Sequence, residues 1–241
     1  MGKYLTEEEL FSTLQHSHLP TILVEGKDDL KIYRWIEEEL QTDFEVDILP
    51  CGCRSVLFSV YQNRSNLKNV IFVADKDIYV YTSVPEKYSD IIFTNGYSIE
   101  NDLYDGKRIE TIFNEQDAAL FAKGLDSYVR YYAYQLKCYF NNLPSCLKKS
   151  PQEVLHDYEL KPEFMPESDV QDVFEYIINK YDLLLRGHSL FQLLNMVLCR
   201  KARTSKFNTD AVYETCYKFL ESSSMNTLKQ RIKDSLVKAI V

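Results

Sequence analysis

Two stretches decide the fold: Thr21-Ile22-Leu23-Val24-Glu25-Gly26-Lys27-Asp28-Asp29 and Asn69-Val70-Ile71-Phe72-Val73-Ala74-Asp75-Lys76-Asp77. Each starts as a short run that is apolar almost throughout and ends in carboxylates. Runs without polar alternation suit strands buried on both faces, as in a parallel sheet covered by helices. Working outward, residues 21–25, 44–49, 69–75 and 91–94 read as strands, and 28–40 and 54–65 as amphipathic helices. The linkers are a few residues long, so the pattern predicts a βαβαβ unit.

After Gly106 the strand-like runs stop. Helices are expected over 116–141, 151–159, 169–185, 187–202, 209–222 and 225–240, punctuated by Pro144, Pro151, Pro162 and Pro166. The chain therefore divides into an α/β region, 1–106, and a helical region, 107–241, expected to pack on it.

Composition agrees. The 241 residues are 45% hydrophobic with 7 Gly and 7 Pro, which excludes disorder and collagen-like repetition. No apolar run reaches the roughly 18 residues a membrane helix needs. The oiliest stretch, 189–199, is interrupted by Gln192 and Asn195 and reads as a buried helix. No secretory signal precedes the first strand, which predicts a cytoplasmic protein whose six cysteines are free thiols. Cys51 and Cys53 lack the partners a structural zinc needs. Met1, Gly2 and Thr6 match a myristoylation pattern, but Thr6-Glu7-Glu8-Glu9 is also a capping box, which gives the threonine a local role.

The net charge is −8, yet residues 196–241 hold nine Lys or Arg against four Asp or Glu. Such a balance excludes a broad basic coat for DNA and leaves room for local phosphate recognition.

The acidic residues carry the chemistry. The carboxyl ends of parallel strands share one rim, where ligands bind. Glu25 arrives there from the first strand, and Asp75 and Asp77 from the third. If the third strand stays extended, Asp75 and Asp77 point to one side and Lys76 away. Two carboxylates about 4 Å apart repel by about 4 kcal/mol at an effective dielectric near 20, so a proton or a cation must offset them. Oxygen donors without His or Cys favour Mg²⁺ or Mn²⁺, which predicts phosphoryl chemistry. Gly26 is expected where a Cβ would crowd the strand-to-helix turn beside a metal. The competing reading makes these residues helix-start and turn carboxylates.

In these segments the sequence resembles the Toprim nucleases and primases, which carry a Glu after the first strand and Asp-x-Asp after the third. Gly96-Tyr97-Ser98-Ile99-Glu100-Asn101 and Arg186-Gly187-His188-Ser189-Leu190 are similar to segments of a Toprim branch in bacterial phage defence that includes the effector of the PARIS anti-phage system. The resemblance spans residues 20–200. It implies a metal-dependent nuclease toxin that cuts structured RNA, host tRNA in particular. It also implies an ABC-type ATPase partner that restrains the effector until triggered, and an active homodimer.

On that reading Glu25, Asp75 and Asp77 hold the metal, and Glu100 joins them in catalysis or merely opens a helix. Lys27, Arg54, Arg186 and His188 are the candidate nucleic-acid contacts. Relatives commonly have a Gly-rich turn ending in Lys after the second strand, where this chain has Cys51-Gly52-Cys53-Arg54-Ser55. Arg54 replaces the cation with a planar fork. Tyr128, Tyr131, Tyr132, Tyr134 and Tyr139 suit helix packing better than base stacking, and Arg200, Lys201, Arg203 and Lys206 read as a solvated helix end or an RNA contact. Two alternatives remain: a non-catalytic Toprim module that docks an ATPase, and a haloacid-dehalogenase-like phosphatase with Asp75 as nucleophile.

Overall fold

The computed structural model describes residues 5–26, 29–157 and 167–240. Two compact units emerge, one formed by 1–103 with 222–241 and the other by 104–221.

The first unit holds a four-stranded parallel sheet. Its strands are β1 (Thr21–Val24), β2 (Asp47–Pro50), β3 (Val70–Ala74) and β4 (Ile92–Phe93), in the order β2-β1-β3-β4. Pro50 is tolerated because β2 is an edge strand. The helices of this unit are α1 (Glu7–His16), α2 (Leu30–Leu40), α3 (Arg54–Gln62), the start of α4 (Ile99–Tyr104) and a returning C-terminal helix, Ser223–Ile240. The expected Thr6 capping box starts α1.

Pleat alternation splits the buried strand residues between two cores. Leu23, Phe72, Ala74 and Phe93 join Leu57, Val60 and Tyr61 of α3 and Leu10 and Leu14 of α1 in one cluster. Ile22, Val24, Ile48, Ile71, Val73 and Ile92 are buried at the alternate positions. α2 packs against β2, and the C-terminal helix packs against β3 and β4. Burying each such side chain contributes about 1.5 to 3 kcal/mol, so both faces are stabilised by helix packing.

The division expected at Gly106 left the last helix in the helical region, whereas its contacts place it on the sheet. Arg231 donates to the Phe93 carbonyl at 2.7 Å, and Lys229 and Lys233 pair with Glu39 and Asp43 at 2.9 and 3.1 Å. Leu228, Ile232 and Leu236 supply its buried stripe.

The second unit is helical: α5 (Glu115–Phe140), α6 (Pro151–Asp157), α7 (Glu167–Asn179), α8 (Tyr181–Leu184), α9 (Gly187–Leu198) and α10 (Thr209–Phe219), which makes the returning helix α11. α5 packs on α6, α7 and α9. Phe121, Leu125, Tyr128, Val129, Tyr132 and Leu136 line its buried face at helical spacing. Tyr128 and Tyr132 are therefore core residues, while Tyr139 is exposed. The single helix expected over 169–185 is broken at Lys180, which leaves the helical region at φ −135°, ψ 33°. Beyond the break, Tyr181 and Tyr104 both donate to Glu110.

Asp117 is wholly buried in this unit between Arg200 and Arg203, with the Arg203 Nε–Oδ2 contact at 3.0 Å. Two members of the expected solvated basic cluster are thus internal counter-ions. Burial pushes the Asp117 carboxyl up, but hydrogen bonds from Arg200, the Asn114–Asp117 capping box and Arg203 leave it below the usual range.

Candidate active site

β1 connects to β2 on one side and β3 lies on the other, so strand order reverses between β1 and β3. In an open parallel sheet that is where a crevice forms at the carboxyl ends. Val24 pairs with Val73 in register, and the residues that follow each strand meet there. Glu25 Oε1 accepts the Asp75 main-chain N–H at 3.1 Å.

The Asp75-Lys76-Asp77 segment does not keep the extended form that alternation needs. β3 ends at Ala74, Lys76 is helical at φ −72°, ψ −32°, and Asp77 has φ +49°. The Asp77 N–H donates to the Tyr97 carbonyl at 2.6 Å, which holds that turn. The two aspartates are therefore positioned by a turn and by their partners, with no contribution from the pleat. The Asp75 side chain accepts the Ile99 N–H through Oδ1 at 3.0 Å.

The loop before α4 is stiffened by its own polar side chains. Thr94 Oγ1 accepts the Lys76 N–H and donates to the Gly96 carbonyl, each at 2.9 Å. Buried Asp102 accepts the Asn95 and Gly96 N–H groups at 3.0 and 2.7 Å. Ser98 Oγ donates to Glu100 Oε2 at 2.5 Å, and Glu100 is buried. The segment that carries the resemblance thus aims Glu100 and the Ile99 N–H from one rigid turn.

Arg54, the first residue of α3, bridges the carboxylates. Its Nε lies 3.3 Å from Glu25 Oε1, its Nη1 is 2.8 Å from Asp77 Oδ2, and its Nη2 donates to the Asp75 carbonyl. The guanidinium lies 5.4 and 5.3 Å from the Phe58 and Tyr79 ring centres. Gly52, at φ +105°, makes the turn that delivers it. Lys76 is directed elsewhere, its ammonium donating to the Asn95 carbonyl at 3.0 Å.

The electrostatics disfavour ionisation of the clustered acids, first through burial and then through mutual repulsion. Burial lifts the Glu25 carboxyl from 4.5 to about 7; Arg54 opposes the rise and Asp77 adds to it. Burial pushes Asp75 well above the carboxylate range, reinforced by Asp29, Glu25, Glu100 and Asp77. The same environment raises the buried Tyr33 phenol, first through burial and then through Asp75 and Asp29.

Among the described residues no three acidic, imidazole or thiol groups form a ready-made metal cage. The donor set nonetheless has the chemistry of a hard-cation site. It is oxygen only and largely buried, and its carboxylates are under-compensated by the Arg54 guanidinium bonded to them. Glu25, Asp75 and Asp77, with Glu100, are the residues that fit such a cation.

Lys27 lies outside the described residues. Arg186 and His188 belong to the second unit, where His188 is exposed in the first turn of α9 with Nε2 3.1 Å from Gln192 Nε2. Gly26 has open space around it: a Cβ there meets no heavy atom within 4 Å, and its φ is outside the left-handed region. No protein atom among the described residues therefore crowds that glycine. Sequence reasoning missed Asp29 and Tyr33; Asp29 is the N-cap of α2 and Tyr33 lies four residues on in its first turns, a spacing that could have joined them. No protein-family model matches the chain, and no curated protein matches it significantly.

Proposed function

We propose that the first unit is the catalytic core of a divalent-cation-dependent nuclease of the Toprim kind. The observation that carries this reading is the junction of Glu25 and Asp75. They lie 50 residues apart in sequence, follow adjacent parallel strands, and are hydrogen-bonded where the strand order reverses. Mg²⁺ or Mn²⁺ would supply Lewis acidity to a phosphoryl oxygen and a bound water of lowered pKa. Glu25, Asp75 and Asp77 are the residues that hold it, and Glu100 borders them. The Ile99 N–H and Ser98 hydroxyl orient Asp75 and Glu100 in advance, which lowers the reorganisation needed during phosphodiester cleavage.

The substrate proposal rests on the resemblance in Gly96–Asn101 and Arg186–Leu190. Structured RNA, tRNA in particular, is the target, with Lys27, Arg186 and His188 as phosphate contacts. The protein acts as a cytoplasmic toxin effector against phage, restrained by an ABC-type ATPase and active as a homodimer. No helix among the described residues is long and apolar enough to cross a membrane.

The test incubates the protein, alone and with its triggered ATPase, with Mn²⁺ and separate pools of tRNA, single-stranded DNA and duplex DNA. Cleavage of tRNA that disappears in Glu25→Gln and Asp75→Asn supports the reading. No cleavage of any pool under either condition overturns it. One observation favours a second reading, a non-catalytic docking module: Arg54 already bridges Glu25 and Asp77. The same assay separates the two.

A further inference from the structure

We propose that Arg54 is a tethered internal cation that locks the carboxylate site at rest and must withdraw before a divalent ion can enter. This inference rests on the nuclease reading and concerns the regulation of that same site.

All three guanidinium nitrogens are engaged at the rim. Nε and Nη1 take Glu25 and Asp77, side chains that a metal would need, and Nη2 takes the carbonyl of Asp75. A guanidinium and a divalent ion compete for these oxygens, because both draw on the same lone pairs and like charges repel at this range. A planar fork spans two carboxylates and a carbonyl from one anchor, which the point charge of a lysine does not.

The lock is built to be reversible. Arg54 occupies the first turn of α3, so its backbone is fixed while the long side chain swings. Its side chain retains 23% of its exposure, and that of Asp77 retains 37%, which leaves a solvent path on that side. Phe58 and Tyr79 face the guanidinium and supply a cation–π hold on the locked position. A polyanionic substrate offers the guanidinium an alternative partner, since phosphate accepts the same bidentate fork. Substrate phosphate and metal therefore enter cooperatively: the first draws the arginine out, and the second fills the oxygens it leaves. The apparent metal affinity of the resting protein is reduced by the fraction of molecules that are unlocked.

Calorimetric titration with Mn²⁺ alone tests the lock on wild-type protein, Arg54→Gln and Arg54→Lys, each first shown to melt cooperatively. Arg54→Gln is expected to bind Mn²⁺ at least about tenfold more tightly than wild type, with Arg54→Lys between them. Equal or weaker binding by a folded Arg54→Gln overturns the lock and leaves the metal reading intact. Absence of Mn²⁺ binding by all three overturns both. A second measurement needs no variant that must fold in bulk. The ¹⁵N-labelled wild-type protein should show a Glu25-bonded Arg54 Nε–H resonance that shifts or exchanges away as Mg²⁺ binds. Mg²⁺ binding that leaves this resonance unmoved also overturns the lock.

Discussion

Glu25 accepts the main-chain N–H of Asp75 at 3.1 Å, so the acid that ends one strand is the hydrogen-bond anchor for the turn that ends its neighbour. A carboxylate used this way is structural even without a metal, and its ionisation is coupled to folding.

The first prediction follows from that coupling. Glu25 titrates near 4.5 when unfolded and near 7 when folded, because burial disfavours its charge. Between those values the unfolded chain releases a proton that the folded chain retains. Glu25's own contribution to stability in chelator should therefore fall as pH rises from 4.5 to about 7, by about 3 kcal/mol, and the raised carboxyl of Asp75 adds a loss of the same sign. Urea melts from about pH 5 to about pH 8 measure this. Glu25→Gln should make the profile shallower, the remaining slope being that of Asp75, and an unchanged slope in that variant would contradict the assignment.

The second prediction concerns Asp117. Its carboxyl is held below the usual range, so its contribution is fully present above its unfolded pKa and is lost as pH falls through the lower folded value. Asp117→Ala strands Arg200 and the buried Arg203, and should cost about 3 to 5 kcal/mol at neutral pH. Chemical denaturation at neutral pH checks the cost. A loss under about 1 kcal/mol, the size of an ordinary surface pair, would count against the triad.

How much of this was legible beforehand differs by element. The strands were readable because Ile71-Phe72-Val73-Ala74 is apolar on both faces, and the α5 core was readable from its helical spacing. Glu25 and Asp75 were readable as rim residues because strand ends in a parallel sheet share an edge. The Lys76 turn was hidden, since alternation holds only while the strand persists. Arg54 was also hidden: its partners Glu25 and Asp77 come from two other segments, and an arginine's sequence neighbours do not name its acceptors. The same applies to Asp117, whose partners Arg200 and Arg203 lie 83 and 86 residues away.

Two glycines provide the third prediction. Gly52 has φ +105°, which a Cβ penalises, so Gly52→Ala should cost about 1 to 3 kcal/mol. Gly26 has open surroundings and an ordinary φ, so Gly26→Ala should leave stability unchanged or raise it by up to about 1 kcal/mol. Thermal melts of the two variants distinguish them, and equal effects would refute the contrast.

The fourth prediction tests the return of the last helix to the sheet. Ile232 is fully buried in α11, and Ile232→Ala should cost about 2 to 5 kcal/mol. Hydrogen exchange should show the loss in β3 and β4, against which α11 packs. Protection unchanged in those strands would argue that α11 is independent of them.

That return also sets a schedule for synthesis. One face of β3 and β4 has no α11 cover until the residues through Leu236 have left the ribosome. The segments bearing Glu25 and Asp75 are made long before, but their sheet matures only with α11. A nascent chain interrupted before that point exposes apolar surface and lacks its finished scaffold, so the carboxylate rim is completed only after α11 has been made.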